Sequence, residues 1–262
     1  MEQNERREYL IRYLLNEEEG FKKIMIPDNA EEQKQLLRSL MNIRMPNEIG
    51  EDFLKVQDEY LSEAIKEKGI TDYKELKPVE EGIYLWQGDI TTLKCDAIVI
   101  AANSGMTGYY VPCHSCIDNC IHTYAGIRLR NHCARIMAMQ GHEEETGKAK
   151  ITPAYDLPCS YVIHTVGPII YDRVRQEDEK LLKSCYRSCL NIAVENGLKS
   201  IAFCCISTGE FHFPNLLAAK IAIETVQAFK KEADHKIDVI FNVFKDSDLD
   251  IYEKLLSSYE RG

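Results

Sequence analysis

From about residue 82 the chain alternates short β-rich runs with helical runs, and this alternation restricts the fold more than any other feature. Residues 97–101 are continuously apolar, which is typical of a strand buried on both faces of a sheet. Further strands are predicted at 83–86, 149–152, 161–165, 200–206 and 239–244, and helices at 117–139, 179–196, 216–231 and 248–259. Strands that alternate with helices predict an α/β/α sandwich around a largely parallel or mixed sheet.

The first 75 residues have a different composition, rich in Glu, Lys, Gln and Leu and poor in Gly. Tyr9, Leu10, Tyr13 and Leu14 form one apolar stripe at helical spacing. A second helix is expected after a cap at Asp28 or Asn29, and a third over 51–68 that ends at a glycine. We therefore expect a helical N-terminal extension over residues 1–78 and the α/β domain over 79–262.

Charge and composition exclude several classes of protein. The hydrophobic content of 45% is sufficient for a buried core, and the formal net charge of −10 argues against a nucleic-acid partner. No apolar run approaches the ~18 residues of a membrane span. The charged first residues lack the apolar segment of a signal peptide, so we expect a cytoplasmic protein. Its ten cysteines are then expected to be buried thiols, metal ligands or reactive thiols rather than disulfides.

Ligands of open α/β sheets bind beyond the carboxyl ends of the strands, which selects three segments by position. These are Asn103-Ser104-Gly105, the Cys-rich stretch that follows it, and Ser207-Thr208-Gly209. A turn of small residues between a strand and a helix can direct backbone N–H groups at a phosphate. Neither a P-loop nor a Gly-x-Gly-x-x-Gly motif is present, and an ordinary turn is the alternative interpretation.

The Cys-rich stretch places Cys113, His114 and Cys116 just before a predicted helix. Thiolates and imidazole are ligands that Zn²⁺ prefers, and three protein ligands leave a fourth position for water or substrate. The spacing also allows Cys120 or His122 as a ligand, and thiols that merely line a loop are the alternative.

Asp118 and His122 are separated by one helical turn and share a helix face. Asp118, near the helix start, also complements the positive end of the helix dipole. A helix cap beside a buried, hydrogen-bonded histidine is the simpler interpretation.

Five motifs in order resemble those of macrodomains. They are Gln87-Gly88-Asp89-Ile90-Thr91, residues 96–104, residues 148–158, Tyr161-Val162-Ile163-His164-Thr165-Val166-Gly167-Pro168 and Ile206-Ser207-Thr208-Gly209. The resemblance covers residues 82–245. It implies a three-layer α/β/α sandwich with a mixed sheet that binds ADP-ribose, in a family that contains both hydrolases and readers of ADP-ribosylation.

A narrower resemblance is to the zinc-dependent macrodomain hydrolases, which carry a Cys-His-x-Cys cluster in place of a glycine run and have an N-terminal helical extension. His114 and Cys116 match this branch directly. At position 109, where the branch often has Cys, this chain has Tyr, so Cys113 is the less direct match.

The resemblance also implies a role for each site residue. Asp118 would position or activate the attacking water, with Asn103 on the distal ribose, His122 beside them and Zn²⁺ as cofactor. Asp89 would accept a hydrogen bond from the adenine amine, next to Ile90. The diphosphate loop would comprise Ser207, Thr208, Gly209, Glu210 and Phe211.

The leading hypothesis is therefore a zinc-dependent protein mono-ADP-ribosyl hydrolase whose partner is ADP-ribose or an ADP-ribosylated protein, with no nucleic acid and no membrane. Two alternatives remain: a non-catalytic ADP-ribose reader, and a structural zinc-bearing interaction protein. A hydrolase with a cysteine nucleophile lacks a convincing base and orienting group in this sequence.

Overall fold

The computed structural model describes residues 1–232 and 236–259 and contains a six-stranded mixed sheet flanked by helices. The strands are β1 (Thr71–Asp72), β2 (Ile83–Gln87), β3 (Leu93–Lys94), β4 (Ala97–Ala102), β5 (Ala149–Pro153), β6 (Tyr161–Val166), β7 (Ser200–Phe203) and β8 (Asp238–Val243). The helices are α1 (Gln3–Glu17), α2 (Ala30–Ile43), α3 (Glu51–Lys68), α4 (Ile117–Ala125), α5 (Ile127–Gln140), α6 (Gln176–Glu195), α7 (Asn215–Glu232) and α8 (Asp246–Tyr259).

The central sheet has the strand order β2-β8-β7-β4-β6-β5. Its neighbouring strands are parallel except at one edge, where β5 runs antiparallel to β6. Apolar residues of β4 pair with those of β6, such as Val99 with Ile163, and both side chains are fully buried. Helix α6 packs on α7 and α7 on α8, while α4 and α5 contact β4 and β5. The predicted α/β/α sandwich with a mixed sheet is confirmed.

Two predicted elements differ from the structure. The single helix expected over 117–139 is two helices, because Gly126 adopts a φ of +80° between α4 and α5. A side chain at Gly126 would collide with Gln57 of α3 and would lie 2.7 Å from Asp156 Oδ2. The strand expected over 200–206 ends at Phe203. The short parallel ladder of β1 with β3 was not predicted.

The N-terminal region forms three helices with an apolar cluster of their own. Asn29 caps α2, because its Oδ1 accepts hydrogen bonds from the backbone N–H groups of Glu31 and Glu32. The cluster includes Leu10, Leu14, Leu37 and Phe53, and Ile127 of α5 packs into it. The extension therefore shares its core with the α/β unit, and the predicted boundary after residue 78 stays a prediction. Within 1–232 and 236–259, no helix is long and apolar enough to cross a membrane.

Arg130 of α5 connects the N-terminal helices to the loop that follows β4. Its Nη1 donates to the carbonyl oxygens of Met41, Asn42 and Arg44 at 2.7–3.0 Å, and its Nε donates to Thr107 O at 2.7 Å. Arg130 is buried, and its guanidinium lies 4.3 Å from the centre of the Tyr110 ring. One side chain thus satisfies four backbone acceptors of two separate segments.

A second junction joins α3 to the loop after β5. Arg128 Nη2 lies 2.6 Å from Asp58 Oδ2 and 3.3 Å from Asp156 Oδ1, and Gln57 Nε2 donates to Asp156 Oδ2 at 3.3 Å. The side chain of Asp156 is only 4% exposed. Burial and the neighbouring Asp58 carboxylate raise the pKa of Asp156 to about 7, against the opposing effects of Arg128 and Gln57.

This junction predicts a loss of stability as pH rises. The unfolded chain releases the Asp156 proton near the ordinary value of 3.8, whereas the folded chain holds it until about pH 7. Between these values the free energy of unfolding falls by up to about 1.4 kcal/mol per pH unit, and it levels off above them. Asp156→Asn should flatten this slope in urea titrations at about pH 5 and about pH 8, whereas the exposed Asp52→Asn should not. Equal slopes in wild type and Asp156→Asn would contradict the assignment.

Candidate active site

The predicted site residues lie at one edge of the sheet. Strands β2, β4 and β7 run in the same direction, so their carboxyl ends meet there. Asp89 follows β2, Asn103 follows β4, and the loop that begins near Ser207 follows β7. The two candidate loops also approach each other, since Glu210 Oε1 lies 3.8 Å from His114 Nε2.

Asn103 and Asp118 are in direct contact. The Nδ2 of Asn103 donates to Asp118 Oδ2 at 3.2 Å and to Gly108 O at 3.0 Å, while its Oδ1 accepts from the N–H of Gly105 at 3.0 Å. These bonds fix the Asn103 amide and hold the loop after β4 against the start of α4. The structure therefore joins these two predicted catalytic side chains by a hydrogen bond.

Asp118 is a buried carboxylate, and one of its two oxygens has no hydrogen-bond partner among the described residues. Burial raises its pKa to about 7, although the nearby Arg130 guanidinium and the Asn103 hydrogen bond favour the charged form. Its Oδ1 is buried and accepts no hydrogen bond from the residues that the structure describes. A buried carboxyl group that titrates near neutrality suits proton transfer at a reacting centre.

His122, the third predicted catalytic residue, lies behind Asp118 in a buried cluster with Cys133 and His164. Its Nε2 is 3.5 Å from Asp118 Oδ1. Burial lowers the pKa of His122 well below the usual range, with Arg130 and His164 adding to the effect, so the imidazole is neutral and the contact is not an ion pair. His164 Nε2 lies 2.9 Å from Thr152 Oγ1. His122 therefore packs against Asp118 as a neutral side chain.

The predicted diphosphate loop is an open turn after β7. Ser207 is buried with a φ of +65°, and its side chain lies beside Gly167, where a Cβ would collide with its Oγ. Thr208 Oγ1 donates to Cys205 O at 3.0 Å, and Phe211 O accepts from the N–H of Ile170 at 2.8 Å. Gly209 and Glu210 are exposed, and Glu210 turns toward His114. The loop from Ser207 to Phe211 thus carries one charged side chain, Glu210, and that side chain lies next to His114.

The predicted metal ligands are neighbours, but they do not converge. Cys113 Sγ lies against α2, 3.2 Å from Ser39 Oγ and 3.4 Å from Gln35 O. His114 Nδ1 accepts from the N–H of Cys116 at 3.1 Å. Over residues 1–232 and 236–259, the single group of possible ligands within 4.8 Å of one another is His122, Cys133 and His164. The donor types of the loop fit Zn²⁺, and Cys113 would have to turn away from α2 to join the other two.

Side chains of helix α2 form hydrogen bonds with the loop that carries Cys113, His114 and Cys116. Arg38 Nη2 donates to His114 O at 2.7 Å and to Asn119 Oδ1 at 3.0 Å, and it also contacts Cys120 Sγ at 3.5 Å. Asn42 Oδ1 accepts from the N–H of Cys113 at 2.9 Å. Cys120, considered above as a substitute metal ligand, is therefore in contact with Arg38 of the N-terminal region.

Asp89 caps a 3-10 turn, Ile90–Thr92, that begins with the buried Ile90. Its Oδ1 accepts from the N–H and Oγ1 of Thr91, and its Oδ2 accepts from Lys68 Nζ at 2.8 Å. Sequence reasoning did not find Lys68, Arg38 or Arg130. No spacing rule links them to the site, because each reaches its partners from a different helix.

Comparisons with known proteins agree with this architecture. The family model described as Macro domain matches residues 99–222. A protein named "Protein-ADP-ribose hydrolase" from Treponema medium is 57% identical over 98% of this chain and 100% of its own length. One of the same name from Staphylococcus aureus (strain MSSA476) is 46% identical over 95% of this chain and 94% of its own. The crystal structure of the Trypanosoma brucei macrodomain in complex with ADP-ribose is 30% identical over 83% of this chain and 94% of its own, with a TM-score of 0.65.

The fold and the sheet-edge site therefore define a macrodomain, and the chain belongs to the Macro domain family. Two relatives that align with 95% or more of this chain are named protein-ADP-ribose hydrolases.

Proposed function

We propose that this protein is a protein mono-ADP-ribosyl hydrolase, which binds ADP-ribose on a modified side chain and cleaves the bond at the anomeric carbon of the distal ribose. The observation that carries the proposal is the contact between Asn103 Nδ2 and the buried Asp118 Oδ2 at 3.2 Å, at the carboxyl edge of the sheet. The names of the full-length relatives and the ADP-ribose bound to the T. brucei macrodomain support it.

The ligand would extend along the sheet edge from β2 to β4. Asp89 would accept from the adenine amine beside Ile90, and the backbone of residues 207–211 would hold the diphosphate, with the Phe211 ring near the distal ribose. Backbone N–H groups supply this anion site without Lys or Arg, so a chain of net charge −10 is compatible with a diphosphate ligand. Asn103 would bind the distal ribose next to Asp118.

Hydrolysis at this position places water between Asp118 and the anomeric carbon. The water oxygen would form the new bond to carbon as the bond to the protein side chain breaks, the side chain would leave with the electron pair of that bond, and the Asp118 carboxylate would accept the water proton. Positive character develops on the sugar in such a transition state, and a nearby carboxylate stabilises it. The Asp118 carboxylate, whose Oδ2 contacts Asn103 Nδ2 at 3.2 Å, would be the group that holds this water.

We further propose that Cys113, His114 and Cys116 bind Zn²⁺ beside this centre, with Cys113 turning from α2 to complete the set. A zinc ion there would lower the pKa of bound water or polarise the distal ribose. Burial raises the pKa of the Cys116 thiol to about 11, so the metal would have to displace its proton. Thiol ligands require a reducing compartment, which is consistent with action in the cytoplasm.

The test is release of ADP-ribose from a mono-ADP-ribosylated protein, with the metal content of the same preparation measured. We expect turnover by the purified protein, a fall of about tenfold or more on chelation, and recovery with added Zn²⁺. Turnover that chelation leaves unchanged would reject the zinc role. Tight binding of ADP-ribose without any turnover would reject the hydrolase and favour a reader.

A further inference from the structure

Lys68, the last residue of α3, extends from the N-terminal helices to the far end of the proposed ligand site. Its Nζ donates to Asp89 Oδ2 at 2.8 Å and lies 3.4 Å from the centre of the Tyr124 ring of α4. Helix α3 ends immediately afterwards at Gly69, which has a φ of +90°. The ammonium is thus held between a carboxylate and an aromatic face, in a position that the end of the helix determines.

Both partners of this ion pair remain accessible to a ligand. The side chains of Lys68 and Asp89 are 31% and 38% exposed. Thr91 occupies Asp89 Oδ1 through two hydrogen bonds, at 3.0 Å from its N–H and 2.6 Å from its Oγ1. A carboxylate oxygen accepts two hydrogen bonds, so Oδ2 has one acceptor position left beside the ammonium. The ammonium carries three N–H donors, of which Asp89 uses one.

The pair therefore presents one acceptor and one donor side by side. Adenine has the complementary arrangement, because its N6 amine donates while the neighbouring ring nitrogen, N7 on one edge or N1 on the other, accepts. A carboxylate alone would recognise only the amine. With Lys68 the site is able to recognise two adjacent atoms of the base, which gives a defined orientation as well as affinity.

We propose that Lys68 is a specificity-determining residue that binds the adenine ring nitrogen next to the amine held by Asp89. The inference rests on the proposed function, since it assumes ADP-ribose as the ligand. It also gives the N-terminal helices a direct part in ligand recognition. Helix α3 supplies one half of the base-reading pair, and the turn after β2 supplies the other.

The test compares the binding of ADP-ribose with that of its 1-deaza and 7-deaza adenine analogues by calorimetry. Wild type is expected to bind ADP-ribose about tenfold more tightly than one of the two analogues, because that analogue lacks the acceptor for Lys68. Lys68→Met is expected to bind ADP-ribose about tenfold more weakly than wild type and to show no preference over either analogue. Lys66→Met, the same change at an exposed position two residues earlier in α3, is the matched control.

The preference for ADP-ribose over the analogues is measured within each variant, so a partial loss of folded Lys68→Met does not imitate the expected result. If wild type binds ADP-ribose while Lys68→Met keeps the wild-type affinity and preference, this inference is overturned and the proposed function stands. If wild type does not bind ADP-ribose, both are overturned.

Discussion

Replacing Asp118 by Asn is expected to lower kcat for release of ADP-ribose by about 10²–10⁴-fold, with the Kd for ADP-ribose changed by no more than about threefold. Asparagine has nearly the same shape, and its oxygen still accepts the 3.2 Å hydrogen bond from Asn103. It neither accepts a proton from water nor stabilises positive charge on the ribose. Single-turnover rates with a modified protein and calorimetry with free ADP-ribose separate the two quantities.

A matched control is Asp250→Asn, the same change at an exposed position on α8, which should retain wild-type rates. Thermal unfolding of both variants checks that the fold is intact, since removal of a buried charge at position 118 is not expected to destabilise it. Wild-type turnover by the Asp118→Asn variant would show that the carboxylate takes no part in the reaction. It would leave the other residues of the site to account for hydrolysis.

Arg130→Met is expected to lower the free energy of unfolding by about 3–5 kcal/mol. Methionine fills similar volume but donates nothing, so the carbonyls of Met41, Asn42, Arg44 and Thr107 lose their shared donor in a buried environment. Urea titration of wild type and variant measures the difference. Limited proteolysis should show earlier cleavage in the N-terminal helices, because Arg130 connects them to the α/β unit.

Arg135→Met provides the comparison, because Arg135 lies on the same helix with a side chain that is 63% exposed. Its effect should stay within about 0.5 kcal/mol. If the two variants were equally stable, the hydrogen bonds of Arg130 to backbone carbonyls would contribute little beyond those that water supplies in the unfolded chain. The N-terminal helices would then be held chiefly by the apolar contacts around Ile127.

Elements with a strong local signal were predictable from the sequence. The apolar run that became β4 and the glycine that ends α3 are read from neighbouring residues alone. The break between α4 and α5 was not, because Gly126 is isolated in a good helical pattern, and Gln57 and Asp156, which leave no room for a side chain there, are distant in sequence. Tertiary contacts decided that boundary.

The residues of the candidate site likewise divide into those that were predictable from the sequence and those that were not. Asn103 and the loop at Ser207 follow from strand order, since parallel strands bring their carboxyl ends to one edge. The role of Asp118 follows instead from the resemblance to macrodomains. The direction of the Cys113 side chain does not follow from the sequence, because it depends on Ser39 and Gln35 of α2. Lys68 and Arg38 were missed for a related reason: they lie in the N-terminal region, and their contacts with the site span 21 and 76 residues of chain.

The contacts of Arg130 and Arg38 with main-chain carbonyls have a consequence for which substitutions these positions tolerate. A guanidinium that binds Thr107 O, Asn42 O or His114 O recognises a peptide group that every residue type carries. A change of side chain at those positions therefore leaves these hydrogen bonds of the arginines in place, although Asn42 also binds the N–H of Cys113 through its Oδ1. Substitutions that alter the chemistry of the loop, such as a change in which residue offers a thiol, leave the hydrogen bonds of both arginines in place.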